Sequence, residues 1–260
     1  MLKFHKYQGT GNDFVMIDGR ENLPELSQHQ IVEICQRRFG IGADGLIVLT
    51  NAEGYDFRMI YYNADGNEGS MCGNGGRCTV KFAHDLKIFD KKTRFIAVDG
   101  PHEAELHDDI IHLKMSDTPP VQSKDGVSFY NTGSPHIVLY VDDLENEPVD
   151  SRGRQIRYSE YWKSQGGTNV NFVEIIGNQS IKVRTYERGV EAETYSCGTG
   201  VTACALDAYE STGMLSPIAI ETRGGNLNVS FEQKEDRSFK NIWLQGPAKK
   251  VYDGQYPLSQ

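Results

Sequence analysis

Apolar residues in this chain recur mostly with the period of extended strands, and a few segments carry the period of a helix. Runs that alternate or stay apolar predict strands at Phe14–Ile17, Leu46–Leu49, Phe57–Tyr62, Phe95–Val98, Ile110–Met115, His136–Val141, Val170–Ile176, Ile181–Tyr186, Leu227–Phe231 and Ile242–Leu244. Clusters of glycine, proline, asparagine and aspartate separate these runs. Ser27 predicts the cap of a helix with Ile31, Ile34 and Cys35 on one face, running to Gly40. A second helix follows Cys72, with Cys78, Phe82 and Leu86 stacked along one side. A third follows Cys197, with Val201, Cys204, Ala205 and Ala208 on its apolar face. Small and apolar residues cover most sides of the last two helices, which predicts that both are buried inside sheet.

The two halves of the chain echo each other. The strand Phe57–Tyr62 leads through a polar loop to Cys72 and its helix. The strand Ile181–Tyr186 leads through Glu187-Arg188-Gly189 to Cys197 and its helix. This order predicts an internal duplication, with Pro119-Pro120 as the boundary. The expected domains are 1–118 and 119–246.

Composition narrows the function. The chain has 260 residues, 38% of them hydrophobic, enough to bury a core. The net charge of -9, with no basic cluster, argues against a nucleic-acid partner. The first residues enter a polar, glycine-rich stretch, and no window reaches membrane-spanning length. The expectation is a cytoplasmic protein without a membrane partner. An odd number of cysteines, five, fits a reducing compartment.

Two of those cysteines carry the chemical signal. Cys72 opens Cys72-Gly73-Asn74-Gly75-Gly76-Arg77, and Cys197 opens Cys197-Gly198-Thr199-Gly200. A cysteine at a helix start lies at the positive end of the helix dipole, which favours the thiolate. The amides that follow lack intrahelical partners and can bind a carboxylate. The glycine-rich neighbours predict accessible sulfurs. A pair of thiols on opposite faces of a carbon acid could remove a proton from one face and return one to the other. Cys35, Cys78 and Cys204 fit small core residues instead. The cysteine gaps do not suit a zinc site, and no metal is expected. No Cys-x-x-Cys is present, although a redox dithiol stays open if Cys72 and Cys197 meet. The clusters at Asn12, Asn63, Ser134, His136 and Asn169 each fit an ordinary turn, yet together they offer neutral donors and acceptors suited to a zwitterion. Glu187 and Arg188 could pair with an amine and a carboxylate, or form a surface ion pair of little worth.

These motifs resemble the diaminopimelate epimerase family over nearly the whole chain, from Gly9-Thr10-Gly11-Asn12-Asp13-Phe14 to Tyr252-Asp253-Gly254. The most specific stretches are Asn63-Ala64-Asp65-Gly66 through Arg77 and Tyr186-Glu187-Arg188-Gly189 through Gly200. The resemblance implies an α+β fold of two similar domains, each a mixed sheet curled around a central helix. It implies an active site in the interdomain cleft, closing over substrate to exclude water. It also implies that 247–260 returns to the first domain and that the protein is a homodimer. The implied activity is interconversion of LL- and meso-2,6-diaminopimelate without a cofactor, with Cys72 as proton donor and Cys197 as acceptor. Gly73, Asn74, Gly198 and Thr199 match the cradle of the reacting carboxylate. Glu187 matches a residue near the reacting amine, and His136 a histidine flanking the site. Asn12, Asn63, Asn169 and Arg188 match positions that hold the substrate. In one version of the family glutamine stands at the position of Gly45 and asparagine at that of Ser134. Gly45 therefore offers no side-chain bond, while Ser134 can still make one. A proline or hydroxyproline racemase of the same fold would share the thiols but have no use for distal contacts. A non-enzymatic amino-acid-binding or redox protein would not need both thiols.

Overall fold

The structure, a computed structural model, describes residues 1–21, 25–124 and 126–258. The first part of the chain forms β1 (Leu2–Gly9), β2 (Asn12–Asp18), α1 (Gln28–Cys35), β3 (Gly45–Ala52), β4 (Tyr55–Asn63), β5 (Glu68–Gly69), α2 (Gly73–Asp85), β6 (Lys92–Ala97), β7 (Gly100–His107) and β8 (Ile110–Lys114). The second part forms β9 (Gln122–Lys124), β10 (Val127–Asn131), β11 (Pro135–Tyr140), α3 (Val149–Arg157), α4 (Glu160–Ser164), β12 (Asn169–Gly177), β13 (Ser180–Glu187), β14 (Ala192–Thr194), α5 (Gly198–Thr212), β15 (Ile218–Thr222), β16 (Gly225–Gln233) and β17 (Phe239–Pro247). The last strand, β18 (Lys249–Tyr256), pairs antiparallel with β1.

The chain divides into two compact units, Met1–Leu113 with Gly246–Gln260, and Lys114–Gln245. The division falls at Leu113/Lys114 rather than at Pro119-Pro120. Backbone bonds tie the intervening residues to the second unit: Met115 N–H donates to Ile242 O, and Thr118 and Phe239 exchange two bonds.

The strand pairings repeat between units. In the first, β1 pairs antiparallel with β2, β2 runs parallel to β3, β3 antiparallel to β4, β4 parallel to β6, and β6 antiparallel to β7. In the second, β10, β11, β12, β13, β15 and β16 follow the same sequence of pairings. The register repeats too. Phe14 faces Gly45 across β2 and β3, and His136 faces Asn169 across β11 and β12. Ile47 faces Tyr61 across β3 and β4, and Asn171 faces Thr185 across β12 and β13. Each unit is thus a mixed sheet built around one helix. Tyr7 of β1 donates to Asp85 of α2 at 2.6 Å, and Tyr130 of β10 donates to Asp207 of α5 at 3.2 Å.

Helix α2 packs against β1, β2, β3, β4 and β18, and α5 against β10–β13, β15 and β16. Both helices are buried along most of their length. In the first unit, Val15, Ile17, Leu46 and Val48 pack with Ile31, Ile34 and Cys35 of α1. Alternation along β2 turns Phe14 and Met16 to the other face, so the whole run is buried. In the second unit, Ile137, Val170, Phe172 and Tyr186 pack with Leu144 and Val149.

Helix α1 ends at Cys35, short of Gly40, because Gln36 is extended. Gly42 and Ala43 then donate to the carbonyls of Ile34 and Cys35, closing the helix end. Gly40 folds back so closely that a β-carbon there would stand 2.0 Å from the Glu33 carbonyl oxygen. Among the described residues no helix is long and apolar enough to cross a membrane.

Candidate active site

In the first unit the site forms at the start of α2. Cys72 is its N-cap, with extended backbone, and its sulfur accepts from the Gly75 amide at 3.2 Å. A hydrogen bond from a helix-start amide favours the anionic sulfur. Asn74, the second residue of the helix, is buried. Its Oδ1 accepts from Arg77 Nη2 at 3.0 Å, which leaves its Nδ2 to face Asn12 Oδ1 at 3.4 Å. Asn12 is oriented in turn, since its Nδ2 donates to Asp44 at 2.6 Å. Asp44 is held by Arg37, which also binds Asp13. Lys6 completes this cluster with an ion pair to Asp13 at 2.8 Å and a hydrogen bond to Gly42 O.

Arg77 is fully buried. Burial pulls its guanidinium down to about 10, so it stays cationic at neutral pH. It donates to Gly73 O at 3.2 Å, Thr10 Oγ1 at 2.9 Å, Asn74 Oδ1 and Pro247 O. All four acceptors are neutral, so the field of this cation remains available to an anion at the helix start. Asn63 ends β4, exposed, with its Nδ2 beside Gly69.

The second unit repeats the helix start with different surroundings. Cys197 caps α5. It keeps 7% of its exposure, so the accessible sulfur expected from its glycine-rich neighbours is corrected: the side chain is buried. Its neighbours leave it little solvent, because the Thr199 hydroxyl lies 3.5 Å from the sulfur and α5 runs through the sheet. Thr199 Oγ1 also meets His136 Nε2 at 2.8 Å. His136 is buried. Burial pushes its imidazole down to about 3, with the charge of Arg188 acting in the same direction, so the ring is neutral. Asn169 donates from Nδ2 to Ser134 Oγ at 3.0 Å and Pro135 O at 2.8 Å, and accepts the Arg188 amide at 2.8 Å. Glu187 ends β13 and accepts from the Thr194 hydroxyl at 3.0 Å. The Arg188 side chain is exposed and reaches Gly166 O.

Cys72, Gly73, Asn74 and Asn12 therefore gather in the first unit, and Cys197, Gly198, Thr199, His136, Ser134 and Asn169 in the second. Four contributors escaped the sequence argument. Arg77 and Thr10 stand inside the quoted motifs but without a role. Asn171 likewise stands inside the polar run Thr168-Asn169-Val170-Asn171 without a role of its own, while Thr185 lies in a strand read as apolar, where a buried hydroxyl opposite a buried amide is the signal. Cys35, Cys78 and Cys204 are buried free thiols, each pushed up by burial, Cys35 to about 12. Among the described residues no cluster of histidine, cysteine and carboxylate side chains could hold a metal.

Comparison with solved structures defines the class of fold. A phenazine biosynthesis protein of the PhzF family from Bacillus anthracis superposes with a TM-score of 0.78 at 13% identity, covering 99% of both chains. A probable proline racemase from Agrobacterium radiobacter superposes with a TM-score of 0.72 at 13% identity, covering 100% of this chain and 94% of that one. The chain thus has the two-domain fold these proteins share. A family model described as diaminopimelate epimerase matches residues 4–121 and 128–251. The diaminopimelate epimerase of Flavobacterium psychrophilum is 51% identical over 97% of this chain and 99% of its own length. That of Chlorobaculum tepidum is 43% identical over 96% and 99%. The chain belongs to the diaminopimelate epimerase family.

Proposed function

We propose that this chain interconverts LL- and meso-2,6-diaminopimelate without a cofactor, with Cys72 and Cys197 serving opposite faces of one α-carbon. The observation that carries the reading is the repetition: each unit buries one helix, and each such helix begins on a cysteine. An α-proton of an amino acid is a very weak acid. A thiolate at one helix start takes it, and a thiol at the other delivers a proton to the opposite face. The amides of Gly73 and Asn74 with those of Gly198 and Thr199 cradle the carboxylate where negative charge develops. Glu187 attends the reacting amine and His136 flanks the centre. Asn12, Asn63, Ser134, Asn169 and Arg188 hold the substrate. A cytoplasmic homodimer belongs to the same reading, and light scattering at twice the chain mass would support the dimer.

The test is NMR of LL-diaminopimelate in deuterated water with wild type, Cys72→Ala and Cys197→Ala, with proline as a competing substrate. Wild type should invert diaminopimelate, and each variant should lose at least about 10² to 10⁴-fold in rate. Exchange on proline alone would replace the substrate. Full activity in either variant would refute the two-thiol mechanism.

A further inference from the structure

The structure assigns positioning roles to Asn171 and Thr185: they fix the tautomer of His136 with its proton on Nε2, which turns the Thr199 hydroxyl proton toward the Cys197 sulfur. The inference rests on Cys197 being a proton carrier, as proposed above.

The direction of each bond follows from the next. Asn171 Nδ2 donates to the Ile137 backbone carbonyl at 2.8 Å, and a carbonyl can only accept. Its Oδ1 faces the Thr185 hydroxyl at 2.9 Å, which must then be the donor. These two contacts settle the amide orientation. The second hydrogen of Asn171 Nδ2 is left for His136 Nδ1 at 3.2 Å. Nδ1 is therefore the acceptor, and in a neutral ring Nε2 carries the proton. Nε2 donates to Thr199 Oγ1 at 2.8 Å. A protonated Nε2 cannot accept, so the hydroxyl proton is not drawn to the ring and the sulfur at 3.5 Å is the partner assigned to it. A competing contact exists, since Asn169 Nδ2 lies 3.5 Å from His136 Nε2. Both hydrogens of that amide are already committed to Ser134 Oγ and Pro135 O at shorter distances.

The sheet does not require this network. At the matching register positions of the first unit stand Phe14, Ile47 and Tyr61 in place of His136, Asn171 and Thr185. The same scaffold is built there with apolar or aromatic side chains, so the buried polar chain serves the thiol rather than the fold. Helix α5 also makes room for it. A β-carbon at Gly200 would stand 2.6 Å from Asn171 Oδ1 and 3.3 Å from His136 Cε1.

The experiment is ¹⁵N NMR of the histidine-labelled protein, with His136 assigned by its loss in His136→Gln. The wild-type spectrum should show a protonated Nε2 and a bare Nδ1. Asn171→Asp replaces the donor by an acceptor and should move the proton to Nδ1. Thr185→Val removes one hydroxyl and should populate both tautomers. It should lower kcat by about tenfold, the worth of one hydrogen bond, with little change in KM. A wild-type ring protonated at Nδ1 would overturn the proposal whatever the activity, as would a Thr185→Val protein with unchanged tautomer and kcat. The spectrum is read without turnover, so an inactive wild-type protein with the expected tautomer would refute the proposed function and leave only the tautomer assignment standing.

Discussion

At Gly45 the backbone leaves no room for a side chain. A β-carbon there would lie 2.5 Å from Tyr61 Cε2 and 2.6 Å from the Tyr62 carbonyl oxygen. The tyrosine could turn, but the carbonyl belongs to the paired strand and cannot. Gly45→Ala should therefore cost about 1–3 kcal/mol in urea unfolding through overpacking, and an unchanged midpoint would refute this contact. The position matches Asn169 of the second unit in register, so where one unit places a hydrogen-bonding amide the other places a tyrosine ring that also packs edge-on against Phe14. His136 makes a second residue-scale prediction. Its ring is neutral when folded, with its titration depressed to about 3. An unfolded histidine titrates at about 6.5, so the stabilising term is complete above that pH and is lost as pH falls from there toward 3. Denaturant midpoints should fall across that window in wild type and fall less in His136→Gln. Parallel slopes would contradict the burial argument. Asp13 loses its contribution in the same direction but over a lower window: burial works to raise it, but hydrogen bonds from Arg37 and Lys6 hold it near 2, so its contribution persists until pH drops below about 4.

At the scale of elements, α3 shows how packing can hide a helix from its sequence. Of its residues only Val149 and Gly153 are buried, which leaves no apolar stripe to read. The helix docks through Gly153, where a β-carbon would meet the Tyr186 side chain at 2.4 Å. Gly153→Ala should raise helix propensity yet destabilise the protein by about 1–3 kcal/mol, and a gain in stability would show that α3 can shift. The central helices were legible for the converse reason, since α2 and α5 are apolar or small on nearly every side and open on Cys-Gly motifs. β1 was missed because Lys6, an inward position, is charged and buried against Asp13, which breaks the apolar alternation. β18 was missed because six of its eight residues are exposed, with no face to read. The positions of Cys72, Asn74, His136 and Thr199 could be placed from motifs. The roles of Asn171, Thr185 and Arg77 could not be read there, because they lie in the bonds these residues make across strands and turns.

At the scale of the molecule, one topology supports two thiols in different surroundings. Cys72 accepts a hydrogen bond from the Gly75 amide and lies near the cation Arg77, whereas Cys197 has a directed chain of neutral donors. A two-thiol epimerase needs one sulfur ionised and the other protonated, so the pH profile of kcat/KM should be bell-shaped; a profile flat through the alkaline range would contradict that requirement. Iodoacetamide should spare Cys35, Cys78 and Cys204 in the folded protein at neutral pH, since burial keeps them protonated. Early alkylation of any of these would place the reactive thiol outside the proposed site. The most direct measurement is the early distribution of solvent deuterium between LL- and meso-diaminopimelate during turnover in deuterated water. Two thiols on opposite faces predict deuterium in the newly formed meso product while the remaining LL substrate stays largely unlabelled. Equal labelling of both from the first turnovers would mean that one base serves both faces, and would contradict the two-thiol account.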